Sequence, residues 1–308
     1  MRLMTNLINK PLKLKCFVHF ILLGLISTLA SQKLLAQSEG VRMEHGDIVY
    51  ASVDGLNLAL DIYLPSDAEN PPLIVFVHGG RWQAGNKRTK IPSQFVDSGF
   101  ALASIDFRQS TQAQFPAQIH DIKAAVRFLR ANSDNYGFDG SKIAITGESS
   151  GGHLATLVGV TNGHSELEGG LGEHLETSSN IQAILSYYGA HDLTSILRQS
   201  TPFGLGVRVP ALQLLLGAQP EEKPDLAQLA SPVFHVDASD PPLLLLHGDQ
   251  DPQMPIAQGE QMEAAYNELG LDVYFDVVLG AGHGGQAFYA PNHLERAMEF
   301  LRRTIGDN

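Results

Sequence analysis

Gly147-Glu148-Ser149-Ser150-Gly151 stands between the apolar run Lys142 to Thr146 and the helix-like run Gly152 to Val160. A Gly-x-Ser-x-Gly in that setting predicts a sharp strand-to-helix turn that holds the serine Oγ above the end of a sheet, with the next backbone N–H free to bind an oxyanion. The flanking glycines have a steric reason. The turn brings the positions two before and two after the serine together, where a Cβ would clash. A chain with 30 glycines in 308 residues can hold such a pentapeptide by chance, so its weight depends on what accompanies it.

Three features accompany it. Leu73 to Val77 reads as a fully buried strand running into His78-Gly79-Gly80-Arg81-Trp82, where glycine N–H groups can approach a substrate closely. A second buried run, Pro242 to Leu246, ends in His247-Gly248-Asp249-Gln250-Asp251-Pro252. A third, Val273 to Leu279, leads to Gly280-Ala281-Gly282-His283-Gly284-Gly285. Ser149, Asp251 and His283 therefore follow one another in the nucleophile, acid, base order of the α/β hydrolases.

From about Tyr50 onward the sequence resembles an α/β-hydrolase esterase. The His-Gly-Gly loop and the Gly-Glu-Ser-Ser-Gly-Gly elbow resemble the hormone-sensitive-lipase-like esterases. Ala230 to Val236, Pro241 to Asp251 and Met254-Pro255 look more like the bacterial branch named after feruloyl esterases (BD-FAE), which is the resemblance favoured here. One position departs from the family pattern: Arg81 stands where the third loop glycine is common.

The fold expected is α/β, a mostly parallel central sheet of about eight strands with helices on both faces. A hairpin, Val49 to Val53 and Leu56 to Leu64 joined at Asp54-Gly55, should open the sheet. Strands are expected at Leu73 to Val77, Ala101 to Asp106, Lys142 to Thr146, Ile181 to Ser186, Leu243 to Leu246 and Val273 to Val278. Helices are expected around Pro92 to Ser98, over Ala117 to Ala131, from about Ile256 to Leu269 and from about Gln286 to Arg303. Between 192 and 235 the rhythm breaks in a Pro- and Gly-rich segment, read as a lid-like excursion over the active site carrying a short helix, or else as a surface insertion.

The first 36 residues are organised differently. Arg2, Lys10, Lys13 and Lys15 precede an uncharged apolar run from Cys16 to Ala30, which predicts a secretory signal peptide cut after Ala30 or Ala36. The domain would then occupy 37–308, outside the cytoplasm in the periplasm or medium, with no stable membrane association after cleavage. Cys16 is the sole cysteine, so a mature chain would have no disulfide. With Lys+Arg 21 against Asp+Glu 33, the net charge of -12 argues against a nucleic-acid partner. No metal-ligand spacing or phosphate loop is present, so neither metal nor cofactor is expected.

In this reading Ser149 attacks an ester carbonyl and His283 is its base. Asp251 orients His283, with Asp249 as rival, and the N–H groups of Gly79, Gly80 and Ser150 hold the oxyanion. His78 props the oxyanion loop and His153 faces packing. Glu148 is read as a salt-bridged structural carboxylate. Arg81 and Trp82 either line the substrate pocket or anchor the loop. The expected function is a serine carboxylic-ester hydrolase acting on a small-molecule or polymer-linked ester. A serine amidohydrolase or peptidase of the same fold, arylformamidase-like, and a non-catalytic binding module are the alternatives. Acyl and alcohol specificity and oligomeric state stay open.

Overall fold

The computed structural model describes residues 43–306. The segment read as a signal peptide lies outside the described residues. Eight strands form one sheet: β1 (Met43–Val53), β2 (Leu56–Tyr63), β3 (Pro72–Val77), β4 (Ala101–Ile105), β5 (Asp139–Glu148), β6 (Ala183–Tyr187), β7 (Leu243–Gly248) and β8 (Val273–Val278). Their spatial order is β1-β2-β4-β3-β5-β6-β7-β8. β2 pairs antiparallel with both β1 and β4, and every other pairing is parallel. This is the α/β-hydrolase arrangement.

Sequence explains the layout locally. Asp54 and Gly55 both take positive φ, 50° and 78°, the geometry of a two-residue turn whose twist matches the strands it joins. The apolar strands β3, β4, β6 and β7 are buried at every residue, so both faces of the sheet are covered. The outer strands β1 and β8 have exposed positions.

Five helices of ten residues or more are labelled here: α1 (Ala117–Ala131), α2 (Ser150–Gly159), α3 (Pro202–Leu216), α4 (Ala257–Glu268) and α5 (Pro291–Ile305). In α1 the expected face, Ile119, Ile122, Val126 and Leu129, has no solvent exposure. All ten residues of α2 are buried. Its contact with the sheet is tight, because a Cβ at Gly159 would fall 2.3 Å from Ile184 Cδ1.

Three expectations need correction. The helix expected near Pro92 to Ser98 is one turn, Gln94–Asp97. The expected helix from Gln286 is two elements, a 3₁₀ turn at Gln286–Tyr289 and then α5, because Pro291 holds Ala290 extended and opens a new helix at its first position. The 192–235 segment carries a fifteen-residue helix, α3, rather than a short one. Thr201 caps α3 by accepting the Gly204 N–H, Pro202 occupies its first turn, and Gly217 ends it at φ 76°.

Candidate active site

Strand register brings the loops together. Val77 pairs with Gly147, so the loop after β3 emerges beside the turn after β5. Gly248 pairs with Val278, so the loops bearing Asp251 and His283 emerge side by side. All lie at the carboxyl ends of the strands, next to β3, where the chain order reverses from β4 on one side to β5 on the other.

Ser149 sits on the turn at φ 55° and ψ −118°, a backbone conformation that side chains other than glycine rarely adopt. The glycines allow it. A Cβ at Gly147 would stand 2.3 Å from the Gly151 carbonyl oxygen, and one at Gly151 would stand 2.1 Å from that of Val77. The Ser149 N–H is held by the Tyr187 carbonyl at 2.9 Å.

The structure brings Ser149, His283 and Asp251 into one hydrogen-bonded chain. Ser149 Oγ lies 2.9 Å from His283 Nε2, and His283 Nδ1 lies 2.7 Å from Asp251 Oδ2. A carboxylate only accepts, so Nδ1 carries the ring proton and Nε2 offers its lone pair to the serine hydroxyl. The Asp251 side chain has no exposure. Burial alone would raise its carboxyl, but the neighbouring His247 ring at 3.6 Å, the His283 hydrogen bond and the backbone N–H groups of Gln253 and Met254 hold it well below the usual carboxylate range. The rival, Asp249, accepts the Gly280 N–H at 2.6 Å and serves the turn after β8.

Gly79 and Gly80 flank Ser149 on the β3 side; a Cβ at Gly79 would sit 3.6 Å from Ser149 Cβ. Among the described residues no backbone acceptor takes the N–H of either glycine, and Ser150, first residue of α2, has an N–H with no intrahelical partner. His78 supports the loop by donating from Nδ1 to the Gly79 carbonyl at 2.7 Å. Its ring stacks on Phe107.

Trp82 is 1% exposed, and its Nε1–H donates to His153 Nδ1 at 2.9 Å. That buried bond ties the loop after β3 to α2. Arg81 is exposed at φ 60°, the left-handed region that a glycine would occupy without strain, and makes no hydrogen bond or ion pair among the described residues. Glu148 forms no salt bridge among the described residues, contrary to expectation; it accepts the Tyr289 hydroxyl at 2.6 Å. Glu148, Tyr188 and Gln286 help line a cleft of about 350 Å³. The Tyr188 ring packs edge-on against His283 with centroids 4.8 Å apart.

One residue escaped sequence reasoning. Arg208, on α3, is fully buried, its Nε donates to the Gln253 carbonyl at 3.4 Å, and its Cζ lies 6.0 Å from the Trp82 ring centroid. Its two terminal amino groups have no hydrogen-bond partner among the described residues. Burial lowers its pKa to about 10, so it remains a cation at neutral pH. A lone arginine in an apolar helix carries no motif, and only the tertiary fold shows where it goes. No group of three or more His, Cys, Asp or Glu side chains among the described residues is arranged to hold a metal.

The BD-FAE family profile matches residues 60–266. Esterase LipQ of Mycobacterium tuberculosis is 33% identical over 73% of this chain and 53% of its own length. The chain spans about half the length of the first curated relatives it matches. A solved structure described as a truncated carbohydrate esterase from gut microbiota superimposes with a TM-score of 0.79 at 33% identity, covering 86% of this chain and 97% of that one. Esterase 2 of Thermogutta terrifontis, phosphonylated by sarin, gives 0.72 at 27% identity over 85% of this chain and 96% of that one. With the profile covering two thirds of its length, and the sheet and site loops arranged as they are, the chain belongs to the BD-FAE family of α/β-hydrolase proteins.

Proposed function

We propose that the protein is a serine carboxylic-ester hydrolase that works through an acyl-enzyme on Ser149. The observation that carries this reading is the contact of Ser149 Oγ with His283 Nε2 at 2.9 Å, continued from Nδ1 to Asp251 at 2.7 Å. His283 takes the serine proton as Oγ adds to the ester carbonyl. The negative oxygen of the tetrahedral intermediate faces the N–H groups of Gly79, Gly80 and Ser150, each worth about 2.7–4 kcal/mol to the transition state. As the carbonyl re-forms, the C–O bond to the alcohol breaks and His283 returns the proton to the leaving oxygen. Water then adds to the acyl-serine by the same route, releasing the acid and restoring Ser149.

Support also comes from the relatives, which are named as esterases, one of them in a phosphonylated form. The leaving alcohol departs on the His283 side, where the cleft lined by Glu148, Tyr188 and Gln286 lies. A sugar ester is the first natural substrate to try, since one structural relative is described as a carbohydrate esterase.

The test is a panel of 4-nitrophenyl esters and a matching aryl amide with the parent protein and Ser149→Ala. Ester turnover that vanishes in the variant, with fluorophosphonate labelling at Ser149, is the expected result. Turnover by the alanine variant, or labelling at Ser150, overturns the assignment. Preference for the amide would favour the amidohydrolase reading instead.

Export belongs to the same proposal. It is supported by the basic start and uncharged apolar run before residue 36. Expressed from Met1 in a bacterium, the protein should be found outside the cytoplasm, beginning near Ser31 or Gln37. An intact Met1 in the soluble cytoplasmic fraction would falsify this.

A further inference from the structure

Arg208 is a buried cation that the fold leaves unsatisfied. Its guanidinium lies between the two loops that frame the candidate site, with Trp82 of the oxyanion loop on one side and the Gln253 carbonyl of the acid loop on the other. Both terminal amino groups lack a partner among the described residues. An unpaired guanidinium taken out of water is costly, and the Trp82 ring at 6.0 Å offsets only part of that cost. Asp251 is the carboxylate within electrostatic reach, but its oxygens are committed to His283 and to the Gln253 and Met254 N–H groups. Arg81 adds a second positive charge close enough to repel Arg208, and it too is unpaired among the described residues. Two unpaired guanidinium groups beside one site are unexpected in a chain of net charge -12.

We propose that Arg208 forms an anion subsite that receives a carboxylate carried on the acyl part of the ester. The proposal rests on the acyl-enzyme reading for the assignment to the acyl part. The leaving alcohol is assigned to the cleft lined by Glu148, Tyr188 and Gln286, whose lining does not include Arg208; Arg208 lies instead against Trp82, on the loop that would hold the ester carbonyl. A guanidinium with both amino groups unpaired presents the two-pronged donor edge that a carboxylate matches. A neutral acyl chain would leave both donors unmet, and sites built for a hydrogen-bonding group reject analogues that lack it. The amino groups are closed to bulk water, so the anion reaches them by parting α3 from the acid loop. Among the described residues two hydrogen bonds cross that seam, Thr201 Oγ1 to the Pro252 carbonyl at 2.6 Å and the long Arg208 bond to Gln253 at 3.4 Å.

The experiment compares the 4-nitrophenyl monoester of succinic acid with 4-nitrophenyl pentanoate, a chain of similar length without the carboxylate. The expected kcat/KM for the succinyl ester exceeds that of the pentanoyl ester by about tenfold or more. Arg208→Met should abolish the preference and Arg208→Lys should keep part of it, with active sites counted by fluorophosphonate labelling so that unfolded material is not scored. A second readout needs no turnover: succinate should raise the thermal midpoint of the parent protein, butyrate should not, and Arg208→Met should lose the shift. Equal kcat/KM for the two esters, or a preference retained in Arg208→Met, overturns the subsite. If no ester is cleaved and Ser149 is not labelled, the acyl-enzyme reading falls; a succinate shift lost in Arg208→Met would then still locate the anion site. No succinate shift alongside normal ester cleavage removes the subsite alone.

Discussion

The indole N–H of Trp82 donates to Nδ1 of His153 at 2.9 Å, joining the loop after β3 to the first turns of the helix behind Ser149. That bond sets the imidazole's tautomer. With Nδ1 accepting, Nε2 carries the proton and donates to the Ala230 carbonyl at 2.7 Å, so one ring ties together the loop after β3, α2 and the end of the 192–235 segment. Trp82→Phe removes the donor and leaves a buried acceptor unpaired. The expected loss is about 1–3 kcal/mol of stability, read from the denaturant midpoint. An unchanged midpoint would show that the indole does not anchor the loop.

The same imidazole gives a pH dependence. Burial lowers the His153 pKa from 6.5 to about 4, so between those values the unfolded chain binds a proton that the folded one excludes. Stability is therefore complete above pH 6.5 and declines as pH falls toward 4, by about 1.4 kcal/mol per unit for such a group. His191, lowered to about 3 by burial, adds to the decline. Urea unfolding at pH 7, 6 and 5 checks it. A flat stability over that range would mean that the histidines are solvated.

Asp251 and Asp249 are separated by their partners. Asp251→Asn should leave the wrong His283 tautomer facing Ser149 and lower turnover by about four orders of magnitude. Asp249→Asn disturbs only the turn at Gly280, so the expected result is a small stability loss with turnover nearly kept. Steady-state kinetics at equal labelled sites decides, and the reverse ranking refutes the assignment.

Arg208→Met replaces an unsatisfied buried cation by an apolar chain of similar length. Because a buried charge with two unmet donors is a burden on the fold, the expected stability, read from the denaturant midpoint, is unchanged or raised by up to about 1–4 kcal/mol. A large loss of stability would show that the guanidinium holds α3 in place.

Much of this could be read from the chain because the local signals agree with the fold. The elbow glycines, the apolar face of α1 and the runs ending in the Asp251 and His283 loops are each set by neighbours in sequence. What stayed hidden depends on distant partners. In α3, Gly204, Gly206 and Pro210 read as helix breakers, yet the helix continues through them. Pro210 has no N–H for the Gly206 carbonyl, but both residues are exposed, and water can serve that oxygen. The caps at Thr201 and Gly217 were the signal that could have revealed the helix. The roles of Arg208 and Glu148 follow from chain segments 45 and 141 positions away, which no local pattern contains.

His283 lies 134 positions beyond Ser149, on the loop after β8, the last strand to be synthesised among the described residues. On the proposed mechanism, a growing polypeptide therefore contains Ser149 long before it contains the histidine that would act as its base. A chain that has not yet reached residue 283 carries Ser149 as an ordinary alcohol, with no imidazole hydrogen-bonded to it. On the proposed mechanism the hydroxyl gains its base only when the loop after β8 stands beside the loop after β7, the two being brought together by the pairing of Gly248 with Val278.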